Sequence, residues 1–142
     1  MWKKITLEII IAILMLFWIY AGFTKLLDYD TYWRQVGNIV GNDALAKLLA
    51  IVLPLAQLVI AAGLFWNRKV GVIASLGMII FFTGYIVYVL YFAAVTPCSC
   101  TGIITGLGWE QHLLFNITIV LLNIVAVLLD KSRYTVFQQA TV

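Results

Sequence analysis

An all-α integral membrane protein, folded as a four-helix bundle, is the class this sequence predicts, and three observations carry the prediction. Hydrophobic residues make up 64% of the 142-residue chain and charged residues only 11%, against about 45–50% and about 25% in a soluble domain. Mean hydropathy is +1.05. The apolar residues gather into four runs near the roughly 20 residues a helix needs to cross a hydrocarbon layer about 30 Å thick. Residues 1–142 therefore read as a single transmembrane domain, because no loop is long enough for a second.

The first span is expected over about residues 5–23, after Lys3 and Lys4. It is longer than a secretory h-region of about 7–15 residues and lacks an Ala-x-Ala cleavage site, so it reads as a membrane helix. The second runs over about 45–66 and contains Pro54, which removes one backbone hydrogen bond and is expected to kink it. The third covers about 70–92, where Gly71, Ala74, Ser75, Gly77 and Gly84 suggest one small-residue face for close helix packing. The fourth covers about 112–129.

Orientation follows from Lys and Arg near the span ends. Lys3, Lys4, Arg68, Lys69, Lys131 and Arg133 fall on one side, against Lys25, Arg34 and Lys47 on the other, with none between Val95 and Gln111. Both termini are expected to be cytoplasmic, so the loop after the third span faces the oxidising, periplasmic side. Tyr29, Tyr32, Trp33 and Trp109 fall near the outer boundaries, where aromatic belts form. The thinly spread basic residues form no patch that could track a phosphate backbone, which excludes nucleic acid as a partner. With Glu8 near the cytoplasmic end and intramembrane acids nearly absent, an ion-relaying transporter is disfavoured.

The chemistry concentrates in Thr96-Pro97-Cys98-Ser99-Cys100-Thr101-Gly102. Pro97 ends the third span and Gly102 supports a turn. A disulfide across one intervening residue closes a very small ring, and strain makes it reducible, which suits exchange better than stapling. His112, the only histidine, is a candidate to stabilise a thiolate or relay a proton. Cys98, Cys100 and His112 are thus the candidate catalytic residues. The same three side chains could alternatively hold copper(I) or zinc, although no second ligand cluster accompanies them.

Asn116 and Asn123 share a helical face with His112, and such a stripe should point into the bundle. Interhelical hydrogen bonding explains it without a ligand, with Gln57 as a candidate partner. Tyr85, Tyr88 and Tyr91 could edge a quinone or lipid pocket; Tyr85, Tyr88 and Asn116 are the candidate cofactor-binding residues. Lys25 and Asp28 lie three apart at the end of the first span, a pair that could anchor the helix or line a site, with anchoring the default for a lysine near a helix end.

Tyr20-Ala-Gly-Phe-Thr-Lys-Leu-Leu-Asp28 resembles the end of the first helix in DoxX-like proteins, and Leu53-Pro-Leu-Ala-Gln-Leu-Val-Ile-Ala-Ala-Gly63 resembles their second-helix pattern, with Gln57 where a glutamate is usual. The Pro97–Gly102 loop followed by His112 and Asn116 is similar to the redox-associated MauE branch. The resemblance implies a DoxX/MauE-type bundle in the bacterial inner membrane. It also implies a role in maturing disulfide-containing periplasmic proteins, as in methylamine dehydrogenase biogenesis.

The resulting expectation is a membrane thiol–disulfide protein, possessing oxidoreductase chemistry, that relays electrons or supports disulfide formation through Cys98 and Cys100. Its partners would be the lipid bilayer and a periplasmic thioredoxin-like or client protein, with a quinone as candidate cofactor. Two alternatives stand beside it: a non-enzymatic subunit or assembly factor of a larger membrane complex, and a copper-handling protein.

Overall fold

A computed structural model of the chain describes residues 1–92 and 108–140. Cys98 and Cys100 lie outside the described residues, as do the side chains of Trp109, Lys131 and Arg133. The described elements are α1 (Trp2–Leu27), α2 (Tyr29–Val40), α3 (Asp43–Trp66), α4 (Arg68–Tyr91) and α5 (Trp109–Ala140). Four are long and apolar enough to cross a membrane: α1, α3, α4 and the Glu110–Asp130 stretch of α5. They pack as a ring in which α1 touches α3 and α5, and α4 closes the circuit against the same two helices.

The register of α1 against α4 can be followed along their length. Glu8 pairs with Arg68, Trp18 hydrogen-bonds Ser75, and the Lys25 ammonium lies over the Phe82 ring. These two helices run parallel. In the antiparallel neighbours, Gly22 of α1 meets Pro54 of α3 and Phe17 of α1 meets Phe115 of α5. Consequently the end of α1, the start of α3, the end of α4 and the start of α5 assemble at one end of the bundle.

The core shows the helical period. Leu7, Ile10, Ile11, Leu14, Phe17 and Trp18 of α1 are buried against Ile60, Ala61, Leu64, Val72, Ile79, Ile119 and Ala126, positions three or four apart on α1 and α3 and seven apart on α4 and α5, all on one helical face. The opposite faces are apolar too, with Ile5, Ile9, Leu16 and Phe23 exposed on α1. A helix apolar all round belongs among other apolar groups, here lipid.

Helix α2 is the element that the apolar runs do not announce. It is short and mixed, and it buries only Tyr32 and Val36, one turn apart, on Ala46 and Ala50 of α3. Gly41 ends it in the left-handed conformation, φ 69°, returning its N–H to the Gly37 carbonyl at 2.8 Å. The Asn42 side chain then caps α3 by accepting from the Leu45 N–H at 3.1 Å. Inside α3, Pro54 is buried and the helix continues through it from Asp43 to Trp66.

The turn between α3 and α4 is a single residue, Asn67, whose side chain caps α4. So short a turn forces the two backbones together, and Gly71 makes this possible. A Cβ added there would stand 2.5 Å from the Leu64 nitrogen and 2.7 Å from the Gly63 carbonyl carbon.

The expected small-residue face of the third span divides. Gly71 and Ser75 face inward, whereas Ala74, Gly77 and Gly84 are exposed, with nothing near Gly77 or Gly84. The reason is geometric: at 3.6 residues per turn, positions 77 and 84 share a face with each other but point well away from 71 and 75. Gly71→Ala should therefore destabilise the detergent-solubilised protein by about 1–3 kcal/mol, the range for overpacking against rigid atoms. Gly77→Ala should leave thermal unfolding unchanged or slightly raised; equal effects would contradict this packing.

Candidate functional site

The end of the bundle where α1 finishes gathers a set of polar side chains from four helices. Lys25 is in the last turn of α1. Its ammonium turns back along the helix and donates to the Ala21 carbonyl at 3.1 Å, lying 5.8 Å from the centroid of Tyr32 and 5.6 Å from that of Phe82. Both rings are within the reach of a cation–π attraction. The amphipathic α2 thus supplies a lid over Lys25, through the same Tyr32 that anchors it to α3.

Lys25 and Asp28 do not form the anchoring pair expected from their spacing. The Asp28 carboxylate accepts from the Thr31 hydroxyl at 2.7 Å, and no carboxylate pairs with Lys25 among the described residues. The reason lies in the chain direction: α1 ends at Asp28 and α2 begins at Tyr29, so the acid is drawn into the junction while Lys25 stays on the inward face with Ala21.

Tyr85 of α4 and His112 of α5 complete the set. Both stand at this end of the bundle, Tyr85 within electrostatic range of Tyr32 and His112 within that of Lys25. Both are half-buried. Burial, with a smaller contribution from Tyr85, raises the Tyr32 phenol above the usual tyrosine range, so it remains a protonated donor at neutral pH. The four groups can all donate hydrogen bonds: an ammonium, an imidazole and two phenols.

A second polar feature lies deeper. Trp18 (0% exposed), Ser75 (0%), Gln57 (1%) and Asn116 (2%) are buried on α1, α4, α3 and α5 respectively. The pairings Gly22–Pro54, Trp18–Ser75 and Phe17–Phe115 place all four near one level, so each spanning helix contributes one polar residue. The Trp18 indole N–H donates to the Ser75 hydroxyl at 2.7 Å. Gln57 Oε1 has no donor among the described residues. Asn123, two turns further along α5, donates to the Ile119 carbonyl at 2.9 Å while its own Oδ1 lacks a donor. Since α3 and α5 are not neighbours in the ring, Gln57 does not meet Asn123.

Of the residues singled out from sequence, the structure brings His112 to the Lys25 end. Cys98 and Cys100 lie in the stretch 93–107, outside the described residues; Phe92 and Gly108, which flank it, both belong to this end. Tyr85 joins the cluster beside Tyr32. Tyr88 is 52% exposed and stacks on Phe92 with centroids 6.2 Å apart, and Asn116 belongs to the buried layer, so Tyr85, Tyr88 and Asn116 are not gathered into one pocket. Among the described residues, no group of three or more His, Cys, Asp or Glu is arranged to hold a metal. Tyr32 is legible as a belt aromatic, and Lys25 as a residue that anchors the helix or lines a site. The missed signal is the spacing Tyr29, Tyr32, Val36, Val40, an amphipathic stripe that folds α2 over the bundle.

The fold and these sites define a small multi-pass helical membrane protein with a polar cluster at one end and a buried polar layer within. Residues 3–129 match the family described as Methylamine utilisation protein MauE, and the chain belongs to that family. No curated protein matches it, and no solved structure does.

The Trp18–Ser75 bond predicts a measurable coupling. Trp18→Phe and Ser75→Ala, combined in a double-mutant cycle of unfolding in detergent, should give a coupling of about 0.6 kcal/mol and at most about 1.7, the range for hydrogen bonds between membrane helices. Strict additivity would show that the bond does not hold α1 and α4 in register.

Proposed function

We propose that this MauE-family protein is a thiol–disulfide redox protein of the bacterial inner membrane, in which Cys98 and Cys100 exchange disulfides with a periplasmic thioredoxin-like or client protein. The single observation that carries this reading is the pairing of the chain's two cysteines, one residue apart, in the segment that joins the Lys25 end of α4 to the Lys25 end of α5. Three further points support it. Lys and Arg are scarce at that end, which makes it the periplasmic and oxidising side. The family's description refers to methylamine utilisation. His112 stands at the start of α5, at the same end.

The chemistry is exchange through a mixed disulfide. A thiolate of the client attacks one sulfur of the Cys98–Cys100 disulfide, breaking that S–S bond and forming an intermolecular one. The second client thiolate then attacks its own bound sulfur, releasing a client disulfide and leaving Cys98 and Cys100 as a dithiol. Two electrons have passed from client to chain, and the reverse sequence returns them. Re-oxidation of the dithiol passes two electrons and two protons to an acceptor, for which a membrane quinone is the proposed class. His112 serves the exchange by accepting or returning the thiol proton, its unperturbed pKa lying near 6.5. A neighbouring cation favours the thiolate that attacks.

Cys98→Ser and Cys100→Ser should each abolish client disulfide turnover in cells while leaving the protein inserted and abundant. His112→Asn should slow the exchange by about 10²–10⁴-fold, the usual contribution of a proton-transferring group. The readout is the client's redox state after acid trapping. A client whose disulfide state is the same with and without the thiols would reject the proposal. A partner that co-purifies independently of both cysteines would instead assign the protein as a non-enzymatic assembly subunit.

A further inference from the structure

We infer that Lys25, His112, Tyr32 and Tyr85 form a binding site for an oxyanion, a phosphate-type group presented either by an anionic lipid or by a soluble ligand. The inference uses only these four residues and their surroundings and does not rest on the cysteines.

The geometry of Lys25 is its starting point. A lysine in the last turn of a membrane helix ordinarily extends its stem outward and leaves the ammonium in water. Here the ammonium points the other way. It donates to the carbonyl of Ala21, one turn deeper in α1, under the Tyr32 ring and beside Phe82. The two rings and one neutral carbonyl are poor compensation for a half-buried positive charge, because burying a charge is costly unless it is paired.

The surrounding groups do not supply the missing negative charge. Asp28 is bound to Thr31, and Asp28, Asp30, Asp43 and Glu110, the acids of this end, are all exposed. The neighbouring titratable groups are themselves donors: Tyr32, whose ring lies 5.8 Å from the ammonium, and, within electrostatic range at this end, Tyr85 and His112. Among the described residues the site therefore has one formal cation, three further donors and no acidic acceptor.

A ligand that completes it must bring acceptors and negative charge. A phosphate-type oxyanion brings both, and its hydrogen bonds to charged donors are about twice as strong as neutral ones. Lys25 as a residue is half-buried and stands in the last turn of α1, at the end of the bundle from which such a group would approach. The exposed Arg34 and Lys47 differ from it, since both lie over the Trp33 ring, at 5.6 Å and 4.9 Å, on the outer side of α2.

The full chain, purified in a neutral maltoside detergent, tests the site by thermal unfolding during three titrations: short-chain phosphatidylglycerol, phosphatidylcholine of the same chain length, and inorganic phosphate. The expected result is a saturable rise in midpoint with phosphatidylglycerol that phosphatidylcholine does not reproduce. Lys25→Met should weaken the half-saturation about tenfold or more; Lys25→Arg should retain it, and Arg34→Gln should leave it unchanged. A matching response to inorganic phosphate assigns the site to soluble oxyanions, whereas a response confined to phosphatidylglycerol assigns it to a lipid headgroup. If Lys25→Met does not fold, the double variant Tyr32→Phe with Tyr85→Phe replaces it, with a several-fold weaker response expected. Equal responses to the two lipids with none to phosphate would overturn the inference. So would a phosphatidylglycerol response that neither the lysine nor the tyrosine variant alters.

Discussion

Inside a bilayer the Trp18 indole N–H has no water to turn to, and an unsatisfied donor there costs several kcal/mol. Ser75 meets it at 2.7 Å, and this bond fixes how far α4 is displaced along α1. Much of the molecule depends on that displacement. It brings Arg68 to Glu8 at one end of the pair and Phe82 to Lys25 at the other. The same register lets Asn67 close the α3–α4 turn, with Gly71 admitting the Leu64 backbone. A slip of one helical turn, about 5.4 Å, would strand the indole and separate Lys25 from Phe82 together.

The polar residues of the bundle fall into two groups with different physical roles. Trp18, Ser75, Gln57 and Asn116 form a buried layer in which the Trp18–Ser75 bond joins two helices, which suits the specification of helix pairing. At the Lys25 end the groups are rich in donors; Lys25, Tyr85 and His112 are half-buried, and Tyr32 of α2 is buried beside them. Such a cluster holds charge poorly by itself. It is poised to interact with something that arrives from outside, which is what a redox protein or a ligand-binding protein at a membrane surface requires.

The four spans were legible because lipid imposes a length and a composition on any helix that crosses it. The spans begin earlier or end later than the apolar runs, since Trp2, Lys3 and Lys4 extend α1, and Asp43 and Ala44 begin α3, where backbone hydrogen bonding continues into the headgroup region. Helix α2 was not legible by hydropathy, as its burial is limited to the Tyr32–Val36 stripe. The small-residue face of α4 was read from type without phase, and Gly77 and Gly84 consequently lie outside the packed face. His112 was identified as a site residue by its chemistry. Lys25 reads first as an anchor because lysines are common near the ends of membrane helices; the inward turn of its side chain follows from the tertiary position of α2, which no local pattern in α1 encodes.

The central claim is that the end of the bundle carrying Lys25 and His112 is the working, oxidising end of a thiol–disulfide protein. The most direct measurement is the redox state of Cys98 and Cys100 in intact cells, by acid trapping and mass-tag alkylation, followed by titration against a dithiol couple. The account predicts a two-electron couple that cycles between disulfide and dithiol, with a potential between about −120 and −270 mV, the range of exchange proteins. Thiols that remain reduced and fail to oxidise across that range would contradict it.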